Sequence, residues 1–316
     1  MTILAAIAGG RLSQRAWMLG ALVTFTVGLG GFVVGAILRA IGAVWEPPIR
    51  RIHEAVGGVL PLGAFVLVIA ISLEPTALIG LGVLVALEET LRAVSVAERP
   101  EARTIAMVAL PVATIATSLV VFDGVVPQIA PRWGANASAL YILSASFVVA
   151  MGIVLVASAR LASPLQLGPA HASALGRTTL AGVCVWAYIG FTAFLIVWIA
   201  DLPHEVTFFV TRTSGAARVL LASLVVVQFV LPFLLLLFHA AKRHFAFLAV
   251  LGVLLVVGNL LDCVWLVMPP ANMLAAAPLL VFASFAWIVA RARFRRHPRV
   301  ASNDALARAL AYEAWS

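Results

Sequence analysis

From Trp17 to Val289 the chain alternates long apolar runs with short polar breaks. The runs do not alternate apolar and polar residues as half-buried strands do. Each is continuously apolar for about 20 residues, the length of a helix that crosses a bilayer. The pattern predicts about nine such helices, over approximately 17–38, 56–73, 76–95, 104–122, 138–159, 178–200, 216–238, 245–268 and 273–290. The expected fold is an all-α, polytopic transmembrane helical bundle, because lipid requires backbone groups to be satisfied within each segment. A barrel would show short alternating segments instead. Short connections place successive helices antiparallel. The Glu74-Pro75 dipeptide marks a tight turn between the second and third spans, since Pro stops a helix and biases the residue before it towards extended backbone.

Arginine placement gives the orientation. With nine spans, Arg11, Arg15, Arg132, Arg212 and Arg218 share one face, and the rest of the 21 Lys and Arg lie on the other. The richer face includes Arg50-Arg51, Lys242-Arg243 and the run from Arg291 to Arg299. The positive-inside rule then puts the N-terminus outside and the C-terminus in the cytoplasm. Merging spans two and three would put Arg39, Arg50 and Arg51 outside, which disfavours that count. The chain divides into a short outer segment (1–16), a transmembrane domain (17–292) and a basic cytoplasmic tail (293–316). The first residues do not read as a signal peptide, because Arg11 and Arg15 follow the apolar stretch Ile3–Ala8 rather than precede it. In the tail, Leu306, Leu310, Tyr312 and Trp315 form an amphipathic pattern suited to a membrane surface or a partner.

Composition narrows the class further. Hydrophobic residues make up 63% of the 316, charged residues 11%, and the mean hydropathy is +1.10. A soluble domain needs more charge to cover its surface. The net charge of +8 lies mainly in short loops and the tail, where it orients helices, so no nucleic-acid partner is expected. The bilayer itself is the first expected partner. Two cysteines, Cys184 and Cys263, fall inside spans, and no CxxC or CxxCH occurs. The six histidines sit at span ends or in the tail, whereas a membrane b-type cytochrome needs them within facing spans. No cofactor or metal is therefore expected on this chain. No nucleophile–base pair, P-loop or dinucleotide fingerprint appears either.

The candidate chemistry lies in ionisable residues at span boundaries, where charge is expensive to place. On the outer side, Asp123 ends span four, and the loop DLPHEVTFFVTR brings Asp201, His204, Glu205 and Arg212. Asp262 lies about two turns inside span eight, with Asn259 on the same face. A lone carboxylate at that depth costs about 2–3 kcal/mol, so it should have a partner, be protonated or meet water. Arg212 is the nearest obvious cation. Two readings stay open: a proton-exit or quinol-facing site, or helix caps and structural ion pairs. On the inner side, His53 and Glu54 stand at the mouth of span two, Glu88 and Glu89 in span three, and His171 before span six. They read as a proton inlet or as interfacial residues in contact with water. Gln228 and Pro232 lie within span seven, where Pro frees backbone groups and kinks a helix.

Several stretches, in order, resemble one family. They are IRRIHEA (49–55), VFDGVVPQIAPRW (121–133), VWAYIGFTAFLIVWIADLPHEVTFFVTR (185–212), LPFLLLLFHAAKR (231–243) and LLDCVWLVMP (260–269). Together they are similar to the F-type membrane subunit (ActF) of bacterial alternative complex III, a quinol:electron-acceptor oxidoreductase of the respiratory chain. That subunit belongs to the wider NrfD/polysulfide-reductase membrane family. The likeness spans residues 40 to 290 and is most specific from 171 to 269. It implies NrfD-like paired four-helix bundles in the bacterial inner membrane. It also implies a second NrfD-like membrane subunit, an iron–sulfur protein and a multihaem cytochrome c as partners. Haem c and iron–sulfur clusters would sit in those partners, with a quinone possible on the membrane subunits. The resemblance implies a scaffolding subunit that offers proton half-channels, with no complete active site of its own.

Carried over residue by residue, Asp123, Glu205, Arg212 and Asp262 match the family's polar positions, and His171 the first His of its pre-span motif. The departures are Asp201 and His204 where the family has Asn and Glu, Gly124 where it has Trp, and His171-Ala172-Ser173-Ala174 where it has His-Phe-His-Asp. A leading span of the family is also missing, in keeping with an outside N-terminus. Two other readings are weighed beside this one: a stand-alone secondary transporter, and a quinol-binding anchor of a molybdenum-type reductase.

Overall fold

The computed structural model describes residues 11–312, apart from 72, 98, 100, 131–136, 164, 268–276 and 297–302. Among these residues the chain is helical throughout, with no strand. The helices are α1 (Arg11–Ala40), α2 (Arg50–Gly57), α3 (Leu60–Ala70), α4 (Pro75–Val96), α5 (Ala102–Leu119), α6 (Val126–Ile129), α7 (Ser138–Leu161) and α8 (Pro169–Ala200). Beyond them lie α9 (Pro203–Arg212), α10 (Gly215–Val225), α11 (Leu231–Leu237), α12 (His239–Lys242), α13 (Phe245–Val267), α14 (Ala277–Arg296) and α15 (Asn303–Leu310). A 3-10 turn, Pro47–Ile49, leads into α2. π-helical turns join α5 to α6 (Val120–Val125) and α10 to α11 (Val226–Val230).

Seven helical stretches among the described residues are long and apolar enough to cross a membrane: 15–40, 47–70, 102–129, 138–161, 169–200, 215–237 and 245–267. Each falls on one of the nine expected spans. The remaining two expected spans, the third and the ninth, are α4 and α14. The second half of α4 carries Glu88, Glu89 and Arg92, and in α14 the apolar stretch is short, Ala283–Ala292. The turn at Glu74-Pro75 is as expected, with Glu74 extended and Pro75 opening α4.

The helices are apolar on all sides rather than on one stripe, so burial differs by position in the bundle and not by sequence. In α1, 89% of the most apolar stretch is buried, against 17% in α8. α1 is the central helix and packs on α2, α3, α5, α7, α13 and α14. Its close contacts depend on small residues, which let membrane helices approach. A Cβ on Gly30 would lie 1.9 Å from the Ser146 carbonyl oxygen of α7. Gly152 of α7 and Gly252 of α13 face each other in the same way, each blocked by the other's carbonyl. By contrast α8 turns Val185, Tyr188, Phe191, Trp198 and Ile199 outward. Such a large exposed apolar surface suits a lipid environment, so the chain is a multi-pass membrane protein.

Candidate functional site

The ionisable residues gather at the two ends of the bundle, and the two gatherings are built differently. At one end stands Asp262, 1% exposed in α13. Its partner is the hydroxyl of Tyr141 in the first turn of α7, which donates to Oδ1 at 2.6 Å. The α7–α13 packing that brings them together is set by the Gly152–Gly252 contact about three turns further along. The ring of Trp186, from α8, lies 5.9 Å from that of Tyr141. Its indole N–H is buried and turned towards the Asp262–Tyr141 pair. Asn259 shares the buried face of α13 with Asp262, as expected, and its amide nitrogen lies 3.4 Å from the Thr26 hydroxyl of α1. Asn259 Oδ1 is buried and without a partner.

Arg212 does not reach Asp262. It ends α9 and donates to the carbonyls of Trp265 (3.2 Å) and Leu266 (2.9 Å) in the last turn of α13. Those carbonyls lack intrahelical donors, so Arg212 caps α13. The guanidinium also lies over the Phe208 ring at 3.9 Å. Burial, and then the nearby Arg15, lower its pKa to about 10, so it remains charged at neutral pH.

The expected outer loop is itself mostly helical. Asp201 adopts a left-handed conformation (φ 47°), and Pro203 then opens α9. Asp201 and His204 are exposed, while Glu205 is buried in the first turn of α9. The helix N-terminus favours the charge of Glu205 there, and Arg212 complements the opposite end. Asp123 sits in the π-helical turn after α5 and accepts a hydrogen bond from Thr76 at the start of α4.

Next to Tyr141 opens a cavity of about 710 Å³ between α6, α7, α8, α9, α10 and α13 and the two π-helical turns. Its walls are almost wholly apolar and rich in aromatic rings, among them Trp186, Phe194, Phe209, Phe229 and Trp265. Tyr188 and Phe191 line it and are also 71% and 62% exposed, so the cavity opens through α8 onto the outer surface of the bundle.

At the other end the charges are paired. Glu46 accepts from Arg50 (Nε 2.9 Å, Nη2 2.8 Å) and lies 2.9 Å from His53 Nε2. Spacings of four and three residues put the three side chains on one helical face. Burial alone would raise the pKa of Glu46, but the His53 hydrogen bond and the charges of Arg50, His53 and Arg39 outweigh it. The carboxyl is held well below its usual range. Glu54 forms an ion pair with Arg39 of α1 and accepts from Ser95 Oγ of α4 at 2.7 Å. Glu89 pairs with Arg92 along α4, and Glu88 is buried beside them. His53 is fully buried, within the helical stretch 47–70 rather than at its mouth.

His171 was expected before a span and stands instead in the first turn of α8. The Gly168 N–H donates to its Nδ1 at 3.3 Å, so Nε2 carries the proton and donates to the Ala309 carbonyl of α15 at 2.9 Å. Tyr312 packs edge-on against the ring. This histidine anchors the C-terminal helix, whose Ala309 is fully buried. Of the tail residues expected to face a membrane or partner, Leu306, Leu310 and Tyr312 are half-buried on the chain itself, and Trp315 lies outside the described residues. Arg132 and His297 also lie outside them.

Sequence reasoning missed Tyr141, Trp186, Arg39, Glu46 and Ser95. Two signals were available. Tyr141 is one of only 3 tyrosines and opens an apolar span, and Glu46, Arg50 and His53 recur at helical spacing. Among the described residues no three His, Cys, Asp or Glu side chains come together to hold a metal. No family model matches the chain, and no curated protein matches it.

Proposed function

We propose that the chain is an integral membrane subunit of a respiratory quinol:electron-acceptor oxidoreductase, of the F-type of alternative complex III. In this reading it scaffolds the complex in the bacterial inner membrane through nine spans, with α4 and α14 completing the NrfD-like bundles. Its N-terminus is outside. Its partners are a second NrfD-like subunit, an iron–sulfur protein and a multihaem cytochrome c, which hold the redox centres. The chain contributes a protonatable site on the outer side and no complete active site.

The observation that supports this reading best is the Asp262–Tyr141 pair. A buried carboxyl within an apolar helix, met by a hydroxyl and not by a cation, can take up and release a proton in place. The order of the motifs from 49 to 269 supports the choice of complex. At the inner end, Glu46 and Glu54 are held in ion pairs and His171 by the tail, so these three serve structure in this reading.

The test is Asp262→Asn in the assembled complex. Turnover should continue while proton release per electron falls. Unchanged proton release would remove the proton role while leaving membership intact. Membership is tested separately, by purifying the tagged chain from its own membranes with haem- and cluster-bearing partners.

A second reading, a stand-alone secondary transporter, is favoured by one observation. Two spans are interrupted, by the π-helical turns at Val120–Val125 and Val226–Val230, the latter followed by Pro232. Transporters place binding sites at such paired breaks. A chain that purifies alone and moves a solute in vesicles would establish this reading over the first.

A further inference from the structure

The cations at the His53 end fall into two groups. Arg39, Arg50 and Arg92 are each held by a carboxylate. Arg177, Lys242 and Arg243 are not: among the described residues no carboxylate forms an ion pair with them. This second group is built around one contact. Lys242 closes the short helix α12, and its stem lies across Gly176 of α8, where a Cβ would be 2.9 Å from Lys242 Cγ. Gly176 stands just past His171, which holds α15 beside the turn before α2 and so fixes the end of the bundle concerned. Arg177 and Arg243 follow the two contact residues in the chain, and both are exposed. Lys242 itself is only 7% exposed. No described residue accepts from its ammonium, yet that atom is not sealed inside the protein. A lysine with a packed stem and a free head presents its charge at a fixed point of the surface.

An apolar stripe leads up to this charge. Leu234 and Leu237 of α11 and the following Phe238 share one helical face and are 49%, 54% and 66% exposed. Phe238 is extended, which ends α11 and turns the chain into α12. Both α11 and α12 pack on α8, so stripe and cations adjoin. We infer that α8, α11 and α12 form a binding site for an anionic phospholipid. Its headgroup phosphate is taken by Lys242 with Arg177 and Arg243, and an acyl chain lies along Leu234, Leu237 and Phe238. An acidic protein segment or a free phosphate would meet the cations but make no use of the stripe. A zwitterionic lipid would use the stripe but bring its own cation to the lysine. The inference does not depend on which complex the chain joins.

The experiment titrates the full chain, purified and delipidated in detergent, with dioleoyl phosphatidylglycerol and with dioleoyl phosphatidylcholine, and counts bound lipid by native mass spectrometry. Phosphatidylglycerol should bind about tenfold tighter, and inorganic phosphate at the same concentration should not displace it. Lys242→Met keeps the stem on Gly176 and removes the charge. It should weaken phosphatidylglycerol about fivefold, the effect of one basic residue at an anionic headgroup, and leave phosphatidylcholine unaffected. Arg177→Gln, at an exposed position where folding is not at stake, should weaken it by a similar factor. Arg103→Gln removes an exposed arginine at the start of α5, which bonds the Ala40 carbonyl at the same end of the bundle, and should change nothing. Equal binding of the two lipids, displacement by inorganic phosphate, or an equal loss in Arg103→Gln and Arg177→Gln would overturn the site, the last by showing only diffuse attraction to positive charge.

Discussion

The two ends of this bundle bury acids in opposite ways. At the His53 end two buried carboxylates are met by bases and further donors. Glu46 has Arg50 and His53, and Glu54 has Arg39 and Ser95. At the other end Asp262 meets neutral groups, the Tyr141 hydroxyl and the Trp186 indole, and Arg212 is committed to the carbonyls of α13. A paired carboxylate is locked as an anion, since losing its charge would strand the cation. A carboxyl on a neutral hydroxyl strands nothing when it gains a proton. The comparison therefore separates charges that hold helices together from one that is free to change.

The largest effect should come from breaking the pair that links three helices. Arg39→Met leaves Glu54 buried with only Ser95, and should destabilise the protein by about 3–5 kcal/mol, read as thermal unfolding in detergent. A loss below 1 kcal/mol would mean that water reaches Glu54 and that the His53 end is no more fixed than the other.

Next comes Glu46. Its carboxyl is held below its ordinary value of 4.5, so the stabilisation it gives is present above pH 4.5 and lost as pH falls through the folded value. Glu46→Gln should cost about 1–3 kcal/mol at neutral pH, less than Arg39→Met because the half-buried Arg50 can turn to water. It should also flatten the loss of stability below pH 4.5. An unchanged acid limb would show that other carboxyls control it.

The smallest effect sharpens the contrast from the other side. Asp262→Asn keeps a partner for Tyr141 and strands no cation, so stability should stay within about 1 kcal/mol of the native protein. A loss comparable to that of Arg39→Met would mean that Asp262 is structural and would erase the difference between the two ends.

Much of this was legible in the chain. Continuous apolar runs can only be helices in lipid, so seven span positions follow from hydropathy with ends displaced by a few residues, the second and sixth beginning nine earlier than expected. The extra length arises because amphipathic turns such as Arg50–Gly57 and Pro169–His171 continue a helix beyond its apolar part. The depth of Asp262 and its shared face with Asn259 also follow from spacing alone. The helical nature of 203–212 was hidden by its polar residues, although Pro203, Glu205 and Arg212 are good start and stop signals.

What spacing along one chain could not decide is which side chain of another helix arrives opposite. Asp262 meets Tyr141, 121 residues away, and His171 meets Ala309, 138 residues away. Those pairings depend on which helix faces which. In helices that are apolar all round, that is set by where small residues such as Gly30, Gly152 and Gly252 allow backbones to touch. The sequence determined that ionisable groups would be buried and at what depth. The tertiary structure alone decided which were neutralised by a cation and which was left with a hydroxyl beside an open aromatic cavity.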